Sequence, residues 1–311
     1  MRRALKVLAR RNAILPLRQV VRLPGRVGAL AVMPSFLGSP RVFGAKVISV
    51  FPRNSNTPFE SHQGAVLLFE PKHGRLLGII DASSVTAIRT AAVSAVATQL
   101  LAKIKTPELA ILGSGTQAST HLESMLVVRG KSIRRVKVWS RNREHAKRFV
   151  RMHSGRKKGV QIEQVDEAQA AVENSDLICT TTASKTPILK GEWLSPGAHV
   201  NAVGACIPTA RELDSEAIKR SRLFVDRLES AANEAGDFII PRKEGAISDS
   251  HILGELGDLL LKRVVGRRSS DDITVFKSLG IAVEDLAAGY FVYSRAGRYK
   301  GGMEFNSERG K

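Results

Sequence analysis

The chain has only two cysteines in 311 residues, Cys179 and Cys206, both among apolar neighbours and without CxxC spacing. That excludes a disulfide framework and a structural zinc centre, and no other metal-ligand spacing takes its place. A chain without disulfides fits a reducing compartment, and the cytoplasm is expected. Long apolar runs are also missing: none approaches the roughly 18 residues that cross a bilayer, and the start lacks the apolar core and small-residue cleavage site of a signal peptide. No membrane partner is expected. Aromatic residues make up 5%, too few for the stacking platforms of RNA-recognition or single-strand modules. Acidic residues are absent before Glu60, whereas residues 1–59 hold 11 Lys or Arg. An Arg-rich, acid-free start is also the mark of a mitochondrial transit peptide, a reading opposed by residues from Pro16 onward, which pattern as part of the fold.

The formal charge of +19 is the footprint of a nucleic-acid binder, but no binding module accompanies it and the basic residues are spread along the chain. It reads as a field that draws anionic cofactors and carboxylate substrates, with incidental polyanion binding as the competing account. No specific nucleic-acid partner is expected.

What is present centres on Glu108-Leu109-Ala110-Ile111-Leu112-Gly113-Ser114-Gly115-Thr116-Gln117-Ala118, followed about twenty residues later by Val138-Trp139-Ser140-Arg141. This is a strand, a tight turn, a helix and a second strand. Gly113 permits the turn, Gly115 lets a pyrophosphate approach the backbone, and Ala118 lets the helix pack on the strand. An NAD site usually has Asp or Glu at the tip of the second strand. Here the tip is Ser140-Arg141-Asn142-Arg143, a hydroxyl, an amide and guanidinium groups that suit a ribose 2′-phosphate. NADPH is the expected cofactor, with NADH possible; a solvated charge cluster is the plain alternative.

Around this stretch, residues 1–12 read as a short basic helix, and 16–24, 28–36 and 42–51 as strands. Residues 64–70 and 76–81 read as a hairpin around Pro71-Lys72-His73-Gly74. Ser83 or Ser84 is expected to cap a buried helix through Thr90-Ala91-Ala92-Val93. Beyond 103–107 the pattern alternates: helix 143–153, strand near 160–162, helix 167–174, and strands 177–182, 198–204 and 222–226 with a helix over 214–219. Residues 252–263 and 283–293 read as closing helices, the last returning to the first domain, with a poorly ordered tail from about Gly297. The fold class is α/β, a Rossmann-type doubly wound parallel sheet plus a second α/β domain. The division expected is 1–105, completed by about 283–311, and 106–282.

Further motifs run nearly the whole length: Pro16-Leu17-Arg18, Val32-Met33-Pro34, Gly44-Ala45-Lys46, Ser61-His62-Gln63, Thr86-Ala87-Ile88-Arg89-Thr90, Pro196-Gly197-Ala198-His199-Val200-Asn201-Ala202-Val203-Gly204, Phe276-Lys277-Ser278-Leu279-Gly280 and Val283-Glu284-Asp285. With the glycine turn they resemble the ornithine cyclodeaminase/mu-crystallin family. The resemblance implies a nicotinamide cofactor and an N-terminal domain that carries the substrate site and makes a homodimer. Arg18, Lys46 and Arg89 resemble the cations that hold the substrate carboxylate, and Lys46 also looks like the lysine beside the carbon exchanging hydride. Ser61, His62, Arg89, Gly113, Ser114, Gly115, Thr116, Gln117, Ser140, Arg141, Asn142, Thr182, Val203 and Ser278 resemble cofactor-contacting positions. Glu234 resembles a position near the substrate.

Two departures stand out. Where the cyclodeaminases carry an Asp after the Asn201-Ala202-Val203-Gly204-Ala205 run, this chain has Cys206, which reads as a small filler and puts cyclodeaminase activity in doubt. The start also lacks the first strand and part of the first helix usual in the family, which implies a shortened first domain or a mis-assigned start. The expected function is NAD(P)H-dependent reduction of small cyclic imine or ketimine carboxylates of the pyrroline-2-carboxylate or piperideine-2-carboxylate kind. The rivals are an ornithine cyclodeaminase, an alanine or opine-type dehydrogenase, and a nucleotide-dependent ligand-binding protein without turnover.

Overall fold

Period-two alternation builds the first part of the chain as a sheet with one covered face. The computed structural model describes residues 1–299, and among these all side chains but those of Arg26, Ser55, Asn56, Arg298 and Tyr299. Two compact units result: Met1–Arg89 together with the segment from Gly280 on, and Thr90–Leu279. The expected boundary near 105 differs from the observed one because the dividing point lies inside a helix.

The first unit opens with α1 (Arg2–Ala9) and continues through β1 (Ala13–Ile14), β2 (Gln19–Arg22), β3 (Ala29–Gly38), β4 (Arg41–Val50), β5 (His62–Phe69) and β6 (Leu76–Asp81). These strands form an antiparallel sheet ordered β1-β3-β4-β5-β6, with β2 also beside β3. Ala31, Leu37, Val42, Ile48, Val66 and Leu68 are buried on one face in a cluster with Leu8 of α1 and Val283 and Leu286 near the C-terminus. The opposite face is also apolar, and far more open.

Next comes α2 (Ala82–Leu101), whose first turns belong to the first unit and whose remainder belongs to the second. Neither Ser83 nor Ser84 caps it. The Asp81 carboxylate accepts from the Ser84 amide at 2.6 Å, and Ser83 Oγ donates to the His62 carbonyl instead. A carboxylate placed just before the first helical residue reaches a first-turn amide and suits the positive helix end better than a hydroxyl. The absence of any bilayer-length apolar run also needs correction: α2 has 20 residues and a window of mean hydropathy 1.2, long and apolar enough by composition to cross a membrane. It is a core helix, with 67% of that window buried within the fold.

The second unit contains β7 (Glu108–Leu112), α3 (Thr116–Arg129), β8 (Arg135–Trp139), α4 (Arg143–His153), β9 (Gln161–Gln164), α5 (Ala168–Val172), β10 (Leu177–Thr180) and β11 (His199–Ala202). It continues with α6 (Ser215–Lys219), β12 (Ser221–Val225), α7 (Leu228–Glu234), α8 (Gly236–Lys243), β13 (Ile252–Glu255), α9 (Leu256–Leu260) and β14 (Ile273–Lys277). The eight strands are parallel in the order β13-β12-β14-β11-β10-β7-β8-β9. Strand order reverses at β7 and β10. This is a doubly wound Rossmann sheet, with ligand sites at the carboxyl ends of its strands.

Residues 252–263 are not one helix: β13 pairs with β12 before α9 begins. The helix α7, the Pro-containing α8 and the wholly buried β14 are not marked in the sequence pattern. Short apolar runs have too few residues for their period to separate strand from helix. The chain returns to the first unit as α10 (Ala282–Tyr299), which covers β3, β4 and β5. The expected tail from about Gly297 begins within α10, and the rest of it lies outside the described residues.

Candidate active site

In the first unit, β4 carries Lys46, α2 carries Thr86 and Arg89, and the first turn of α10 carries Glu284 and Asp285. All but Thr86 are buried charges. Lys46 Nζ lies 2.9 Å from Asp285 Oδ2, with the two side chains 3% and 0% exposed. Arg89 donates from Nε to Asp285 Oδ1 at 2.8 Å and from Nη1 to Glu284 Oε2 at 3.0 Å. Lys46 Nζ also donates to Thr86 Oγ1 at 3.4 Å, and Arg18 Nη2 donates to the Gly280 carbonyl at 3.0 Å. Gly280 has φ +73°, and a Cβ on it would meet the Arg89 guanidinium at 2.5 Å. Only glycine fits there without moving the arginine.

The structure thus brings together the three cations expected from the sequence, but not as bare charges: Glu284 and Asp285, which that reading left without a role, are set among them. Lys46, Arg89 and Arg18 stand beside the carboxylates of Glu284 and Asp285, and Glu284 also acts on the Met1 ammonium. Burial brings the Lys46 ammonium down to about 8, against the pull of Asp285 and with the repulsion of Arg89 and Arg18 adding to it. Burial would raise the Asp285 carboxyl, but Arg89 and Lys46 outweigh it and hold it below its ordinary value. Lys46 is therefore an ammonium that gives up its proton near neutral pH. Nearby in the chain, Ser61 Oγ and His62 Nδ1 are 3.0 Å apart at the start of β5.

In the second unit the β7–α3 turn has the shape of a phosphate site. Gly113 has φ +123°, and a Cβ there would meet Thr181 Oγ1 at 2.7 Å, so the turn closes on the chain after β10. A Cβ on Gly115 would meet nothing within 4 Å, which leaves space over the turn. Gly115 is the N-cap of α3 and offers no side-chain cap, so the first-turn amides at Thr116, Gln117 and Ala118 start the helix as an anion site does. The Gln117 carbonyl accepts from His121 Nδ1 at 2.7 Å. Ser114 Oγ donates to Ser140 Oγ at 3.0 Å, tying the turn to the tip of β8.

At that tip Arg141 is exposed and has no hydrogen-bond or ion-pair partner among the described residues, whereas Arg143 is paired with Asp166 at 2.9 Å. The Asn142 side chain caps α4, accepting from the amides of Glu144 and His145 at 2.9 and 3.2 Å. Thr182 and Val203 follow β10 and β11, and Ser278 follows β14. Cys206 is a half-buried thiol that donates from Sγ to the carbonyls of Val203 at 3.4 Å and Ser278 at 3.9 Å. Cys179 is inert, its thiol pushed up to about 12 by burial. Glu234 is half-buried at the end of α7, and no metal-binding group of His, Cys, Asp or Glu occurs among the described residues.

The model of the ornithine cyclodeaminase/mu-crystallin family matches residues 13–300. The ketimine reductase mu-crystallin of Mus musculus is 40% identical over 280 residues, covering 89% of this chain and 84% of that protein. The Δ1-pyrroline-2-carboxylate reductase of Thermococcus litoralis, solved in complex with NADH and L-proline, superposes with a TM-score of 0.93 at 36% identity, covering 98% of this chain and 93% of that one. An archaeal alanine dehydrogenase dimer with bound NAD has a TM-score of 0.91 at 29% identity, covering 99% and 92%.

Proposed function

Since the chain belongs to the ornithine cyclodeaminase/mu-crystallin family, we propose that it is an NAD(P)H-dependent reductase of small cyclic imine carboxylates of the pyrroline-2-carboxylate type. The observation that carries this reading is the gathering of Arg18, Lys46 and Arg89 around buried carboxylates in the first unit, a donor set suited to a substrate carboxylate. Arg18 and Arg89 offer planar donors to that carboxylate, while Asp285 and Glu284 hold Arg89 in a fixed orientation. Lys46 adds a compact charge and, with its ammonium near 8, keeps the imine nitrogen protonated. When bound, the nicotinamide supplies the hydride that reduces the imine carbon. No covalent intermediate with the protein is needed; fixed charge and orientation lower the barrier.

The turn at Gly113 and Gly115, the α3 start and Ser114 would hold the pyrophosphate, and Ser140 and Arg141 the ribose end. Because Arg141 is an exposed arginine without a partner at that end, NADPH binds more tightly than NADH. Arg141→Asp narrows or reverses the preference by about 1–3 kcal/mol, the scale of a hydrogen bond to a charged group. Titration of both cofactors checks it, and equal Kd values in the parent chain contradict it.

A second copy of the chain covers the open face of the first sheet. Val21, Leu30 and Ile79 are 63%, 42% and 65% exposed there, and register places Phe36, Phe43, Phe69 and Leu67 on the same face. So apolar a face on an antiparallel sheet calls for a partner. Sedimentation velocity is expected to return a two-chain mass; a stable one-chain mass would remove the homodimer. Two free thiols and no disulfide fit the cytoplasm.

The test of substrate class is a panel monitored by NADPH oxidation. Pyrroline-2-carboxylate and piperideine-2-carboxylate are expected to be reduced far faster than pyruvate with ammonia, and the reverse order would favour an alanine dehydrogenase.

A further inference from the structure

A second buried charge cluster lies at the carboxyl ends of β10, β11 and β14, and the reading above gives it no role. Glu212 is fully buried, and its two oxygens accept four hydrogen bonds. Oε1 accepts from the Thr182 amide at 2.7 Å and Thr182 Oγ1 at 2.6 Å. Oε2 accepts from the Gly204 amide at 2.7 Å and Thr180 Oγ1 at 2.7 Å. The segment carrying Glu212 is itself pinned, because Asp237 Oδ1 accepts from the amides of Glu212 and Leu213 at 2.8 and 2.9 Å. The other Asp237 oxygen lies 3.0 Å from Lys277 Nζ, with both side chains 1% exposed.

The chemistry of Glu212 is specific to a carboxylate. Each oxygen takes one backbone N–H, which cannot rotate away, so an amide side chain must turn its NH₂ against one of the two. The two segments it joins are the chain after β10 and the chain after β11, already in close approach: a Cβ on Gly204 would lie 2.0 Å from the Thr182 carbonyl oxygen. In this strand order the adenosine end of a dinucleotide lies toward β8, and the other half lies across the reversal point, toward β10 and β11.

We propose that Glu212 is the positioning residue for the nicotinamide half of the cofactor, clamping the segments after β10 and β11 into one rigid wall through Thr182 and Gly204. The proposal rests on the reading of the second unit as the NADPH site. Its test compares two ligands: NADPH, and 2′,5′-ADP, which has the adenosine and 2′-phosphate but no nicotinamide. Glu212→Gln is expected to raise the Kd for NADPH about tenfold or more, the scale of losing a hydrogen bond to a charged group, while 2′,5′-ADP stays within about twofold. Thr180→Val removes one donor and leaves both amides, and shifts the NADPH Kd in the same direction by about two- to threefold. Glu212→Gln binding NADPH like the parent, or losing both ligands in equal proportion, overturns the proposal. Should Glu212→Gln fail to fold, Thr180→Val decides: a raised NADPH Kd with 2′,5′-ADP unmoved supports the clamp, and an unmoved NADPH Kd overturns it. A parent chain that binds 2′,5′-ADP and NADPH equally well leaves the second unit a nucleotide site but removes the nicotinamide wall, whereas one that binds neither overturns the cofactor reading itself.

Discussion

Replacing Lys46 by methionine lowers kcat/KM for pyrroline-2-carboxylate reduction by about a thousandfold or more, while NADPH binds as in the parent. The size follows from two losses at one atom: a charge-assisted contact to the substrate carboxylate, about 1.5–3 kcal/mol, and proton donation, about 10²–10⁴ in rate. Methionine keeps the unbranched apolar stem up to the Cε position, and Asp285 keeps its bond from Arg89, so the fold retains one of the two charges that neutralise it. The pH profile of the parent carries a second signature. Lys46 in the free protein loses its proton near 8, and only the protonated form holds the carboxylate and protonates the imine, so kcat/KM falls on the alkaline side as pH rises through about 8. Steady-state kinetics from pH 6 to 10 measures both effects. Parent-like turnover in Lys46→Met would remove the lysine from the mechanism.

The largest effect on stability is expected at Asp285. Both its oxygens are engaged by cations, Lys46 at 2.9 Å and Arg89 at 2.8 Å, and the carboxylate is fully buried. Asparagine must set an NH₂ against one of these donors and leaves their charge uncompensated. Breaking a buried ion pair in this way costs about 3–5 kcal/mol, read as a lowered midpoint in thermal or urea unfolding. The sign of the accompanying pH effect follows from the same charges. Asp285 raises the Lys46 ammonium, so its loss moves the alkaline limb of kcat/KM to lower pH than in the parent. The double variant Lys46→Met/Asp285→Asn is expected to be less destabilised than the sum of the single changes, because each removes the partner the other leaves exposed. Unaltered unfolding in Asp285→Asn, with the limb unmoved, would show that the carboxylate does not organise the cluster.

What could be read in the sequence depended on how local the signal was. The β7 turn with Gly113 and Gly115, the second strand and the helix 143–153 each declare themselves within a dozen residues, and the structure places them as expected. The three cations could be named only through the resemblance, since nothing near Arg18, Lys46 or Arg89 in the sequence marks them as neighbours. Glu284 and Asp285 lay within a quoted motif, yet their partner Arg89 is 195 and 196 residues away, so pairing them required the fold. Glu212 gives no local signal, because its four donors come from Thr180, Thr182 and Gly204, at the ends of other strands. The cap of α2 is the Asp81 carboxylate and not the serines at 83 and 84 because it stands just before the first helical residue, and β13 reads as helix in the sequence because four residues carry no reliable period.

The resemblance places an Asp in the deaminases of this family where this chain has Cys206, a difference expected to leave imine reduction without deamination. Making proline from ornithine needs oxidation to an imine, attack by the δ-amine, loss of ammonia and re-reduction, with several protons moved at one carbon. Reducing a preformed cyclic imine needs one protonated nitrogen and one hydride. The direct measurement sets the two reactions side by side on the purified parent chain: NADPH oxidation with pyrroline-2-carboxylate, and ammonia release from ornithine with catalytic NAD⁺ or NADP⁺. The prediction is rapid NADPH oxidation and little or no ammonia; robust ammonia release from ornithine, with the imine left unreduced, would contradict it.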